Sequence, residues 1–338
     1  MFPHFLHITG RMQTSAFGLS GAGFPAYPLG SRDRNGRLEV FNAWFKRSCA
    51  WLLLGLWTMA ACGSAPEGRA DSTVPVVFVS ILPQRFFVQR LAGDAVRCEV
   101  LVGPGQSPAT YGPSPGQMAR LASADLLLLI GVPFERVWSR RIRDANPDLH
   151  VVDCSAGLDR DAESRSGRDP HIWLDPVLAQ DIARCVHQQL IELLPDRRAG
   201  LDHRLAEVLT DLQTLDRDLA RLLGPLRGHR VLVFHPGWGY LTRRYGLEQV
   251  AIESEGKDPG PRHLARIVEQ ARRAGVRMIL AQQQFSEKSA RAIASEIGAK
   301  VVTADPLAEE YLDNLRRVAE IMVQAAYDPP SDAGTQKR

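Results

Sequence analysis

Two histidines stand in closely related settings. One lies in Asp169-Pro170-His171-Ile172-Trp173-Leu174-Asp175-Pro176, the other in Val233-Phe234-His235-Pro236-Gly237-Trp238-Gly239-Tyr240. In each, proline fixes the backbone beside the imidazole and a tryptophan close behind supplies a rigid apolar wall. Neutral imidazole is a good ligand for zinc, and Asp305, ahead of Pro306, is a third candidate that would add a carboxylate oxygen. The histidines are far apart in sequence, so the pattern predicts two lobes that each offer a ligand to a shared cleft. Each residue also has a plain structural reading. His171 can be a loop residue capping the helix that begins after Pro176, His235 a polar residue at a helix N-terminus, and Asp305 the N-cap of the last helix. Glu255 reads as a solvated loop residue, or as a carboxylate that swings over the cleft. Trp173, Trp238 and Tyr240 read as wall and core. Gly103, Gly105 and Gly256 serve turns, because Gly103-Pro104-Gly105 lacks the Lys-Ser/Thr of a phosphate-binding loop.

The elements that must position these residues follow from hydrophobic periodicity. Uniformly apolar runs at 76–80, 98–102, 126–130 and 150–153 read as strands of a parallel sheet covered on both faces. Helices fit near 84–93, 115–122, 134–145 and 176–192. From Leu201 to Leu223, apolar residues recur at three- and four-residue steps with no Gly or Pro, which predicts one long amphipathic helix over 196–223. After Gly224-Pro225 the alternation restarts, with strands at 231–234, 250–252, 278–280 and 301–303. Helices follow near 238–245, 261–274, 286–297 and 306–326. The fold class is therefore α/β, two Rossmann-like lobes with parallel sheets joined by one long backbone helix. The boundaries are 75–195 for the N-terminal lobe, 196–223 for the linking helix and 224–327 for the C-terminal lobe, with a tail at 328–338. In such sheets ligands sit beyond the carboxyl ends of strands, which is where His235 and Asp305 fall.

Residues 1–62 read as a targeting region. Lys46 and Arg47 precede an uncharged run from Cys49 to Ala61, too short to span a bilayer but suited to a signal-peptide core. It ends Met59-Ala60-Ala61-Cys62-Gly63, which resembles a lipobox and makes Cys62 the expected lipid anchor, with ordinary cleavage near Ala61 as the alternative. The segment before Phe41 has no hydrophobic core, which places the expected translation start near Val40. Residues 63–74 read as a tether.

The chain has 338 residues, 45% of them hydrophobic, enough for two domains with separate cores. A formal net charge of +3, with arginines spread among acids, gives no reason to expect nucleic acid as a partner. Cys98, Cys154 and Cys185 remain after Cys62. An odd count in an exported protein allows one disulfide plus a free thiol, or three small buried hydrophobes.

Taken in order, Ile81-Leu82-Pro83-Gln84, Leu101-Val102-Gly103-Pro104-Gly105-Gln106-Ser107-Pro108, both histidine motifs, Glu255-Gly256-Lys257-Asp258-Pro259 and Asp305-Pro306-Leu307 resemble the zinc and manganese solute-binding proteins of ABC importers, the cluster A-I family. The resemblance runs from about Val76 to Ala326. It implies a metal site of four positions, two from each lobe, with His171, His235 and Asp305 as ligands. A histidine at position 235 resembles the zinc type, where manganese-type members typically carry glutamate, so Zn²⁺ is the expected cargo and Mn²⁺ fits less well. Two departures stand out. The family's Ser-Pro-His-Thr-Tyr-Glu-Pro reads here Ser107-Pro108-Ala109-Thr110-Tyr111-Gly112-Pro113, so Ala109 occupies a ligand position that alanine cannot serve. The histidine-rich acidic loop of many zinc-type members corresponds to 159–168, which holds no histidine.

The resemblance implies an exported, lipid-anchored, monomeric receptor on the periplasmic side of a bacterial envelope. It would not be an enzyme, and it would pass metal to an ABC permease. Capture should weaken as pH falls through ~6.5, where imidazole takes a proton. One alternative is a binding protein for a metal–chelate or organic solute that uses the space beside Ala109. Another is a zinc-dependent hydrolase with Glu255 as base, although no HExxH motif is present.

Overall fold

The computed structural model describes residues 74–158, 169–253, 260–282 and 287–327. Residues 1–73, with the expected signal segment and Cys62, residues 159–168, Glu255 and residues from 328 on lie outside them.

The N-terminal lobe runs β1 (Val76–Ile81), α1 (Leu82–Ala92), β2 (Arg97–Val102), α2 (Pro115–Leu121), β3 (Leu126–Leu129), α3 (Pro133–Ala145), β4 (His150–Asp153) and α4 (Pro176–Leu193). The long helix α5 spans Arg198–Leu223. The C-terminal lobe runs β5 (Arg230–Val233), α6 (Gly239–Arg244), β6 (Glu248–Ala251), α7 (Pro261–Arg273), β7 (Met278–Ala281), α8 (Glu287–Ile297), β8 (Lys300–Thr303) and α9 (Tyr311–Tyr327). Each lobe holds one four-stranded sheet, in the orders β2-β1-β3-β4 and β6-β5-β7-β8. All strand pairs are parallel. The two-lobed α/β architecture expected from the sequence is the one observed.

Local chemistry explains the boundaries. β1 is buried at every position, as a strand covered on both faces must be. Proline occupies the first turn of α2, α3, α4 and α7, where its missing N–H costs no hydrogen bond. Asp175 caps α4 by accepting the Val177 N–H at 2.8 Å. The last helix begins at Tyr311 rather than near 306. Asp305 Oδ1 accepts the Leu307 N–H at 2.9 Å, and Asn314 Nδ2 donates to the Asp305 carbonyl at 2.7 Å. Those bonds hold 305–310 as a turn, so Asp305 does not cap α9.

Helix α5 is about 39 Å long at 1.5 Å per residue. It buries Leu201, Val208, Leu212, Leu215, Leu219 and Leu223 as one stripe. That stripe packs on α1 and α4 of the first lobe and on α9 of the second. The lobes therefore do not have separate cores, contrary to the expectation from length. One apolar cluster runs from Phe78 and Leu128 through α5 to Val231, Val233 and Leu280. The alternate residues Leu232, Phe234 and Ile279 point to the other face of the second sheet and form a cluster of their own.

Cys154, just past β4, is joined to Cys185 on α4. The crosslink encloses the stretch that carries His171. Among the described residues Cys98 is the free thiol, and burial pushes it up to about 12, so it stays protonated. Among the described residues no helix is long and apolar enough to cross a membrane.

Candidate metal site

The carboxyl ends of both sheets face one another across a cavity of about 130 Å³. The first lobe supplies Ala109 from the loop after β2, Val132 and Pro133 after β3, and Pro170, His171 and Trp173; the second supplies His235, Gln282, Pro306 and Leu307. His171 and His235 meet here, their ring centroids 5.3 Å apart at an interplanar angle of 70°. Trp173 flanks His171 at 5.1 Å. Its indole N–H donates to the Pro306 carbonyl at 2.8 Å, and the Tyr311 hydroxyl donates to the Trp173 carbonyl at 2.5 Å. Those two bonds pin the His171 segment of one lobe to the 306–311 segment of the other.

Each imidazole is fixed by a carboxylate. His171 Nδ1 lies 2.7 Å from Asp169 Oδ1, which also accepts the His171 backbone N–H at 3.0 Å. Burial pushes the Asp169 carboxyl up, but its hydrogen bonds to His171 and the imidazole charge outweigh that and hold it below the usual range, so it is ionised. His235 Nδ1 lies 2.5 Å from Oε1 of Glu253, whose side chain is only 3% exposed. A carboxylate can only accept, so Nδ1 carries a proton on both rings. An imidazole whose Nδ1 is oriented in this way can offer Nε2 to a divalent cation.

Strand register sets this arrangement. Val233 pairs with Ala251 on one side and with Leu280 on the other. Two residues further along, on the same face of each strand, lie His235, Glu253 and Gln282. The ladder continues through the Ile252 N–H to Val233 at 2.9 Å and the Glu253 N–H to Phe234 at 3.0 Å. β5 and β7 are also the strands between which the chain order reverses, where a doubly wound sheet opens its crevice.

Gly237 clears the approach. A Cβ there would sit 3.3 Å from His171 Nε2 and 3.1 Å from Gln282 Nε2. Behind the wall, Glu135 accepts the Ile130 and Gly131 N–H groups at 2.9 and 2.7 Å and so holds the turn before Val132 and Pro133. Burial pushes the Glu135 carboxyl up to about 7, in spite of those hydrogen bonds.

Of the three expected ligands, the structure brings His171 and His235 together. Asp305 lines an adjoining cavity, with Thr303, Glu309 and Asn314. Among the described residues no group of three or more His, Cys, Asp or Glu is placed to hold a metal ion. Ala109 lines the histidine cavity, so the missing imidazole leaves open space beside the two that remain. Three functional residues were not singled out from the sequence: Asp169, Glu253 and Gln282. The first stands in the histidine motif itself, and the other two become visible only once strand order is known.

Residues 77–325 match the family model described as zinc-uptake complex component A periplasmic, ZnuA. The high-affinity zinc uptake system protein ZnuA of Bacillus subtilis (strain 168) is 28% identical over 290 residues, covering 79% of this chain and 91% of that protein. A crystal structure of ZnuA superposes with a TM-score of 0.72 at 38% identity, covering 74% of this chain and 98% of the other. A ZnuA deletion mutant with zinc bound gives a TM-score of 0.72 at 37% identity, covering 76% of this chain and all of the other.

Proposed function

Because the chain belongs to the family of periplasmic zinc-uptake components, we propose that it is an exported solute-binding protein that captures Zn²⁺ between its lobes and delivers it to an ABC permease. The observation that carries this reading is the pair His171 and His235, each with Nδ1 held by a carboxylate and both lining one shared cavity. Imidazole nitrogen favours zinc over manganese, whose preferred shell is richer in oxygen. Asp305 is the third ligand in this reading. It would reach the cavity by opening the turn that now ties it to Leu307. The fourth position, vacated at Ala109, is left to an outside donor.

The family is one of solute-binding proteins, not enzymes, and nothing in this reading needs a reaction. Lipid attachment at Cys62, a monomeric state and the lobe boundaries at 75–195, 196–223 and 224–327 complete the proposal. The test is a zinc titration against a competing chelator. His171→Ala and His235→Ala should each weaken binding at least tenfold. Asp305→Asn keeps the acceptor for the Leu307 N–H and removes the charge, so it isolates coordination from turn structure. Absence of zinc binding by the wild-type protein, with normal zinc loading of cells that lack it, refutes the proposal.

A further inference from the structure

Gln282 is 3% exposed, lines the histidine cavity, and has no hydrogen-bond partner for Nε2 among the described residues. An amide N–H pair buried without an acceptor is costly, on the order of a lost hydrogen bond or more. The acceptor has to come from whatever fills the cavity. Neither histidine offers one: Nδ1 is protonated on each ring, and Nε2 is the atom a metal takes. Gln282 Nε2 and His171 Nε2 converge, at 3.1 and 3.3 Å, on the same point above Gly237. A donor thus sits where a metal held by His171 would carry its next ligand, and it calls for an oxygen.

The shape of the cavity says more about that ligand. A water occupies only about 30 Å³ of liquid, whereas an apolar cavity of about 150 Å³ admits a benzene-sized guest. This cavity measures about 130 Å³. Away from the histidines and Gln282 its lining is mostly apolar, with Pro108, Ala109, Val132, Pro133 and Trp173 among it and Ser107 as one further polar residue. Such walls give further waters few partners, but they suit a short hydrocarbon segment.

We infer that the site takes zinc together with a small carboxylate, one oxygen of the carboxylate on the metal and accepting from Gln282 Nε2, its short apolar remainder in the space beside Ala109. The carboxylate is bound as the anion and displaces water from zinc, so no proton or covalent bond is transferred. Gln282 acts as a residue that selects the form of the cargo. This inference rests on the zinc reading above and deepens it.

The experiment uses the full mature chain, with free zinc held by a metal buffer and propionate as the probe. Sodium chloride at equal ionic strength is the control. Saturating propionate should tighten zinc binding about tenfold, the worth of one hydrogen bond to a charged acceptor. By linkage, zinc should tighten propionate binding by the same factor. Gln282→Leu should lose the propionate effect on zinc affinity, whatever its affinity for zinc alone. Gln282→Glu, which places a protein carboxylate at the cavity, should also lose it, and serves as the readout if the leucine variant does not fold. Zinc binding that is indifferent to propionate overturns this inference and leaves the zinc reading standing. An equal propionate effect in wild type and both variants also overturns it. No zinc binding with or without propionate overturns both.

Discussion

Replacing Glu253 tests whether the buried carboxylates do more than fill space. Glu253 is 2.5 Å from His235 Nδ1, so its charge lies about 6–7 Å from a zinc held at Nε2, once the imidazole and a zinc–nitrogen distance of about 2.0–2.1 Å are crossed. At an effective dielectric constant of about 20, a single negative charge at that range stabilises a doubly charged ion by about 5 kcal/mol. That figure is a ceiling, because the His235 side chain is 23% exposed and the cleft admits solvent. Loss of the group that orients a ligating imidazole costs about 10–100-fold in metal affinity, or about 1.4–2.7 kcal/mol. Glu253→Leu should therefore weaken zinc binding by about 10–100-fold. Glu253→Gln still accepts from Nδ1 and keeps the tautomer, so its loss should be smaller. The assay is chelator competition, with circular dichroism and thermal melting to confirm that both variants fold. Folded Glu253→Leu protein with wild-type zinc affinity would refute the reasoning, since the carboxylate would then be irrelevant to the lone pair at Nε2.

Four further outcomes are expected. Gly237→Ala should weaken zinc capture with little loss of stability, because its methyl would lie 3.3 Å from His171 Nε2; unchanged affinity in a calorimetric titration would show that the metal approaches elsewhere. Ala109→His should tighten zinc severalfold in the same titration, since the position lines the cavity with both histidines; unchanged or weaker binding would mean that it is not a vacated ligand site. Removing the Cys154–Cys185 crosslink by Cys154→Ser with Cys185→Ser should cost about 3–4 kcal/mol in denaturant unfolding, from the loop entropy of a 31-residue separation. It should also weaken zinc, because the loop carries His171. Glu135 has its carboxyl raised from 4.5 to about 7 by burial, so the folded state holds its proton more tightly than the unfolded chain does. The stability it contributes is full below pH 4.5 and is lost as pH rises through about 7, by about 3 kcal/mol. Urea unfolding of the wild type and Glu135→Leu across that range should show the slope only in the wild type.

Much of this was legible in local pattern. The run Val-Val-Phe-Val-Ser-Ile at Val76–Ile81 is a buried parallel strand because nothing in it suits a wet face. The stripe from Leu201 to Leu223 is a helix because its apolar residues recur at the helical period. Asp305 was harder to read. An aspartate before a proline ahead of a helical pattern suggests a cap, but the hydrogen bonds that Asp305 accepts from Leu307 and Asn314 make a turn there and delay the helix to Tyr311. Those partners lie within ten residues, yet no periodicity encodes them.

The sequence by itself determined that there are two α/β lobes, that a long amphipathic helix joins them, and that His235 falls where a strand ends. Those are properties of runs and periods, which neighbouring residues settle among themselves. Only the tertiary structure decided which groups face the histidines. Glu253 and Gln282 stand beside His235 because β6 and β7 flank β5 and are paired to it in one register. Strand order and register are set by how whole layers pack, so no local pattern marks Glu253 as the acid that fixes His235. The same packing closed one core around α5 across both lobes, because a single helical stripe was wide enough to serve α1, α4 and α9 together.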